Sequence, residues 1–231
     1  MKAKGARQVM KFENDVAINS GKQVVRGTLI VPSGATAVVV FAHGSGSGRF
    51  SPRNQYVAQV LQEAGLATLL VDLLEEEEAN NRARVFDIAL LAGRLESVAH
   101  WLASLPETAP MRLGYFGAST GAGAALLAAA NQGDAVSAIV SRGGRPDLAR
   151  AALTRVTAPT LLIVGGQDEV VLTLNREAYN LLPCARKLEV VPGASHLFPE
   201  PGALEEVARL AQQWFLHYLA PSSDEGPAPC C

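Results

Sequence analysis

Gly117-Ala118-Ser119-Thr120-Gly121 sets a serine between two glycines, each two residues away. Where a strand turns sharply into a helix the central residue is strained, and a side chain at either flank would meet neighbouring backbone, so glycine suits both flanks. The turn lifts the Ser119 hydroxyl above a sheet edge, at a helix N-terminus whose unpaired N–H groups and dipole favour developing negative charge. This is the chemistry of a nucleophile. A serine hydroxyl is weak at neutral pH, so it needs a base, and the base needs an acid to fix its tautomer. Of the four histidines, His100 and His217 fall inside helical patterns, and His43 precedes a glycine-rich loop. His196 follows a late strand in Pro192-Gly193-Ala194-Ser195-His196, where it can swing over Ser119. Asp168, in Gly165-Gly166-Gln167-Asp168-Glu169, is the acid candidate, although taken alone it reads equally as a turn aspartate or helix cap. The order Ser119, Asp168, His196, each after its own strand, is far more specific than any one member.

Acyl transfer also needs donors aimed at the oxyanion of its tetrahedral intermediate. The backbone N–H of Thr120, at the helix start, is one candidate. The second is the backbone N–H of Ser45 in His43-Gly44-Ser45, the loop after an early strand. His43 then orients that loop through hydrogen bonds and exchanges no proton.

These residues require a scaffold, and the rest of the chain supplies one. Gln23 to Val31 has strand character and ends in a Pro32-Ser33-Gly34 turn. Ala37-Val38-Val39-Val40-Phe41 is a continuous apolar run, as in a strand buried on both faces of a parallel sheet, and Leu66 to Val71 repeats it before Asp72. Pro52 can open a helix to about Ala64, with Gly65 as its stop. Glu75 to Glu78 reads as a solvated loop or first helical turn, because four consecutive glutamates cannot all face one ion. Arg82 to Leu105 carries helical periodicity, and Arg112 to Phe116 is the strand feeding Ser119. The Ala-rich stretch from Ala124 to Ala130 is apolar on every face and predicts a buried helix. Further strands are expected at Ala135 to Val140, Thr160 to Val164 and Lys187 to Val191, and helices at Thr173 to Leu182 and from about Ala203 to Leu219. Alternation at this spacing predicts an α/β fold with a doubly wound, mostly parallel sheet, whose ligands sit beyond the strand C-termini.

With 231 residues and 48% hydrophobic content, the chain can bury one core, so a single domain over 1–220 with a flexible C-terminal tail over 221–231 is expected. A net charge of −2 points to neither nucleic acid nor an anionic membrane. The polar start has no apolar segment behind its lysines, which makes a cytoplasmic protein the expectation. The three cysteines, Cys184, Cys230 and Cys231, make neither a disulfide framework nor a zinc site. No cofactor or metal is expected, and a homodimer is compatible with this reading.

On His43-Gly44, Gly117-Ala118-Ser119-Thr120-Gly121, Gly166-Gln167-Asp168 and Gly193-Ala194-Ser195-His196, the chain resembles a small α/β-hydrolase of the dienelactone hydrolase-like group over about Gln23 to Leu219. The resemblance implies Ser119 as nucleophile, Asp168 as acid and His196 as base. Dienelactone hydrolases proper carry cysteine where Ser119 stands, and the substitution favours a serine esterase or related acyl hydrolase. No insertion long enough for a separate lid domain follows Val140, which suits small acyl groups. Arg142 and Arg145 follow that strand, where they can lie at the rim and pair with a substrate carboxylate, or be ordinary surface arginines. The expected activity is hydrolysis of carboxylic esters as a carboxylesterase. The alternatives are lactone hydrolysis, acyl transfer or perhydrolysis from the same acyl-enzyme, and a non-catalytic binding module, against which the complete Ser119, Asp168, His196 set counts.

Overall fold

The computed structural model describes residues 10–220. Its core is one sheet of eight strands: β1 (Met10–Ser20), β2 (Gln23–Pro32), β3 (Ala37–Ala42), β4 (Ala67–Asp72), β5 (Arg112–Ala118), β6 (Val136–Arg142), β7 (Thr160–Gly165) and β8 (Arg186–Val191), in the order β1-β2-β4-β3-β5-β6-β7-β8. β1, β2 and β4 pair antiparallel in turn, and every pairing from β4 through β8 is parallel. The chain leaves β3 in the middle and winds first one way and then the other, so the β3 and β5 C-termini meet at one edge.

Alternation along each central strand distributes side chains to two cores. Val38, Val40 and Ala42 of β3 face one core with α4 (Ile88–Ser104) and α5 (Thr120–Gln132), while Ala37, Val39 and Phe41 face another with α1 (Pro52–Glu63) and α7 (Ala203–Tyr218). Phe41 stacks on Phe116 of β5 in that second core, with ring centroids 4.7 Å apart. α6 (Glu169–Leu181) sends Ala178 into the first core. α5 is buried on nearly every face, and its small alanines let it lie close to both the sheet and α4.

Two local features were not expected from the sequence and two expected segments are refined. β1 lies ahead of the first expected strand; its alternating polar sequence suits an edge strand with one wet face. The Arg82 to Leu105 periodicity is divided into α3 (Arg82–Val85) and α4, because the Asp87 side chain accepts from the Leu90 N–H and starts a new helix. Glu75 to Glu78 leads into a short helix, α2 (Glu76–Ala79), but Glu78 is not simply solvated: both its oxygens accept from buried Arg94, at 2.6 and 2.8 Å. After β6 the chain makes only a 3-10 segment, Pro146–Arg155, packed on α5 and α6. No helix among the described residues is long and apolar enough to cross a membrane. Cys230, Cys231 and the rest of the 221–231 tail lie outside the described residues.

Candidate functional site

Ser119 stands between β5 and α5 with φ 49° and ψ −121°, the left-handed strain expected of the sharp turn. Two close approaches hold it there. A Cβ on Gly121 would come within 2.2 Å of the Ala42 carbonyl oxygen, and one on Gly117 within 2.4 Å of the Ala122 α-carbon. The Ser119 N–H donates to the Arg142 carbonyl at 3.3 Å, and its own carbonyl accepts from Arg145 and Ala122, so the strained residue is fixed from β6 as well as from α5.

Asp168 occupies the cap position of α6 but forms no side-chain cap bond. Its Oδ2 instead accepts from His196 Nδ1 at 2.6 Å, which leaves Nε2 of the imidazole as the proton acceptor. The two loops are tied together beneath that bond: Gln167 N–H donates to the Ala194 carbonyl and Gly166 N–H to the Val191 carbonyl, both at 2.9 Å. Glu200 receives the Ser195 N–H at 3.1 Å, steadying the approach to His196. Gly143 is where the two halves of the site meet. It follows the residue that binds the Ser119 amide, and a Cβ there would lie 3.5 Å from the His196 ring. No hydrogen bond joins Ser119 Oγ to His196 in this conformation.

On the other side of Ser119 lies the glycine-rich loop after β3. Gly44 packs directly on the serine, since a Cβ there would fall 2.8 Å from the Ser119 Cβ. The N–H groups of Ser45 and Thr120 make no backbone hydrogen bond, and both residues line one narrow crevice with Leu73, Leu74, Val85 and Leu91. His43 works as the sequence suggests, through hydrogen bonds. Its Nε2 accepts from the Leu73 N–H at 3.0 Å and its Nδ1 donates to the Gly44 carbonyl at 2.9 Å. Burial holds its pKa below the ordinary 6.5, against the opposing pull of the Gly44 carbonyl and Asp72, so the ring is neutral where it must accept.

Two contacts of the site were not read from the sequence, and the rim reading of Arg142 and Arg145 is corrected. Asp72, at the end of β4, accepts from the Arg49 N–H at 2.7 Å and pairs with its guanidinium, clamping the glycine loop. Arg94 donates to the Leu73 carbonyl at 2.6 Å while it holds Glu78, so the Glu78–Arg94 pair supports the segment that contacts His43. Arg142 is not at an open rim: it is only 6% exposed, and its guanidinium points to Asn54 of α1 and the Phe198 ring. Arg145 is already held by Asp147, with both carboxylate oxygens engaged at 2.8 and 2.7 Å, so its fork is occupied within the protein. A charge at the end of a parallel strand is the one sequence signal that could have pointed to Asp72.

Comparison with known proteins agrees with this geometry. The dienelactone hydrolase family model matches residues 25–219. The crystal structure of a dienelactone hydrolase from Anabaena variabilis shares 56% identity with a TM-score of 0.87, over 90% of this chain and 99% of that one. Est1E from Butyrivibrio proteoclasticus superposes with a TM-score of 0.75 at 17% identity over 90% of this chain and 99% of its own, a likeness of fold alone. A Mycobacterium tuberculosis protein provisionally named a phosphoribosyl transferase is 58% identical over 217 residues, which are 94% of this chain and 48% of that protein. The chain thus spans about half the length of that curated relative. The strained Ser119 turn, the paired loops of Asp168 and His196 and the sheet that carries them are those of an α/β-hydrolase, and the chain belongs to the dienelactone hydrolase family.

Proposed function

We propose that the protein is a serine hydrolase of carboxylic esters with small acyl groups. One observation carries the reading: His196 Nδ1 sits 2.6 Å from Asp168 Oδ2 at the same sheet edge as Ser119, whose φ of 49° is that of a nucleophile turn. Ser119 Oγ attacks the ester carbonyl while His196 Nε2 takes its proton, and Asp168 holds the tautomer and stabilises the imidazolium. The free N–H groups of Ser45 and Thr120 receive the oxyanion, assisted by the α5 dipole. His196 then protonates the leaving alcohol and activates water against the acyl-enzyme. The preference for small acyl groups rests on the short connection after β6, where only the 3-10 segment Pro146–Arg155 leads on to β7 and no lid domain is inserted over Ser119.

A second reading, lactone hydrolysis through the same steps, is supported by the 56% identity to the Anabaena dienelactone hydrolase. The transferase name belongs to a relative about twice as long and carries no argument for the chemistry of Ser119. Nitrophenyl esters from acetate to octanoate, assayed beside simple lactones on the wild type and Ser119→Ala, test both readings. Ester cleavage that declines with chain length and vanishes in the variant supports the first. Lactone turnover without ester turnover moves the second ahead. Activity unchanged by the substitution refutes both.

A further inference from the structure

At the start of α1 several donors are poorly supplied with acceptors inside the protein. Ser51 precedes the helix without capping it, is 9% exposed, and has a buried Oγ with no hydrogen-bond partner. Arg53 Nε is buried and unpartnered as well. The backbone N–H groups of Arg53 and Asn54 belong to the unpaired first turn of this 12-residue helix, where its dipole is positive. Arg142 enters the same turn from β6. Its one side-chain hydrogen bond is a long 3.4 Å contact from Nη2 to Asn54 Oδ1.

Among the described residues no carboxylate lies within 4.0 Å of the Arg53 or Arg142 guanidinium. The nearby loop carboxylate, Asp72, is taken by Arg49. Burial pushes the Arg142 pKa down to about 10, and the neighbouring Arg53 charge adds to the fall, yet the group stays protonated at neutral pH. An uncompensated buried cation is destabilising, and the Phe198 ring 5.9 Å away offsets little of that. Folding alone gives no reason for this arrangement; an anion does.

We propose that Ser51, Arg53, Asn54 and Arg142 bind a phosphate monoester group carried on the alcohol portion of the substrate. Position supports the alcohol portion. The Arg142 carbonyl receives the Ser119 N–H, and Phe198 lies two residues beyond His196, the group that protonates the leaving oxygen, so this subsite borders the leaving side of the reaction. Charge and shape support phosphate over carboxylate. Two guanidinium groups and a helix N-terminus match a dianion, and three peripheral oxygens reach donors approaching from α1, Arg53 and Arg142, where a carboxylate offers two. Hydrolysis breaks the acyl–oxygen bond with water and releases a carboxylic acid and the phosphorylated alcohol; the phosphate ester itself is untouched. The cleaved bond rests on the ester-hydrolase reading above, whereas the anion site does not.

Two measurements test it. Thermal unfolding is followed in inorganic phosphate at tens of millimolar and in chloride of equal ionic strength, for the wild type, Arg142→Met and Arg53→Gln. Phosphate should raise the wild-type Tm and lose that effect in both variants. Arg142→Met should itself be as stable as the wild type or more so, because it removes a buried unpaired charge. Acetoxypropyl phosphate, acetoxybutanoate and pentyl acetate then compare phosphate, carboxylate and neutral alcohols of similar size. The phosphate ester should exceed the other two in kcat/KM by about tenfold or more, and Arg53→Gln should reduce that ratio by a similar factor. No phosphate-specific rise in the wild type, a rise that persists in Arg53→Gln, or a carboxylate ester cleaved as well as the phosphate ester overturns the proposal. If no ester is cleaved but the phosphate effect is present and lost on substitution, the hydrolase reading fails while the anion site stands. Should Arg142→Met not fold, the half-buried Arg53→Gln decides alone.

Discussion

Replacing Glu78 with glutamine tests how the glycine-loop side of the site is held. Arg94 is nearly sealed, with a side chain 5% accessible against 18% for Glu78, and its guanidinium divides between both Glu78 oxygens and the Leu73 carbonyl. Each hydrogen bond to a charged group contributes about 1.5–3 kcal/mol, and removing one partner of a buried pair costs about 3–5 kcal/mol because the other charge is left uncompensated. Glu78 is open on one side and glutamine keeps one acceptor, so the lower end, about 3 kcal/mol, is expected. At roughly 2–4 °C per kcal/mol for a chain of this length, Tm should fall by about 6–12 °C. The Arg94 hydrogen bonds hold the Glu78 carboxyl below its ordinary value of 4.5. A carboxyl whose folded pKa is lowered stabilises fully above the unfolded value and loses that contribution as the pH falls through the folded one. Glu78→Gln should therefore also flatten the acid side of the Tm profile. Because the Leu73 N–H donates to His43, kcat should fall together with stability. Circular dichroism melts across the acid range, paired with ester assays, provide the check. A Tm loss below about 1 °C, or an unchanged acid slope, refutes the reasoning.

Asp168→Asn should lower kcat on a short neutral ester by about 10⁴ with little change in Tm, since the amide favours the wrong imidazole tautomer; a loss below about tenfold contradicts Asp168 as the orienting acid. His43 has a lowered pKa, so its neutral form stabilises the fold above 6.5 and that contribution disappears as the pH falls through the depressed folded value. His43→Phe should then show a shallower Tm decline on acidification than the wild type, although it starts lower for want of the Leu73 bond. Gly121→Ala forces a Cβ against the Ala42 carbonyl and should destabilise by about 3 kcal/mol or more, or prevent folding; a soluble variant with wild-type Tm would mean that β3 and α5 do not approach as closely as described.

How far the sequence reaches depends on whether a feature is local. β3 is a continuous apolar run because both its faces are covered, and the Ser119 turn announces itself through glycines that the backbone of Ala42 and Ala122 requires. The candidate residues at strand ends follow from the same pattern, since parallel strands bring their C-termini to one edge. β1 escapes because an edge strand alternates polar and apolar residues in a segment that also reads as a charged start. The α3–α4 break is hidden because Asp87 caps a helix without interrupting the apolar spacing around it. Pairings across long separations leave no local trace: Glu78 with Arg94, Asp72 with Arg49, and the Arg142 side chain turned toward α1 all depend on how the loops fold back. Arg142 in particular reads as a rim residue by its place at the end of its strand, and only the packing of α1 and Phe198 reveals that it is buried.

The proposed mechanism requires Ser119 to be an activated nucleophile. Intact mass after incubation with a fluorophosphonate, on the wild type and on Ser119→Ala, measures it directly. One adduct is expected on the wild type and none on the variant. A wild type that stays unmodified while folded, or a variant that is labelled equally, would contradict it and bring forward a hydrolase fold used for binding alone.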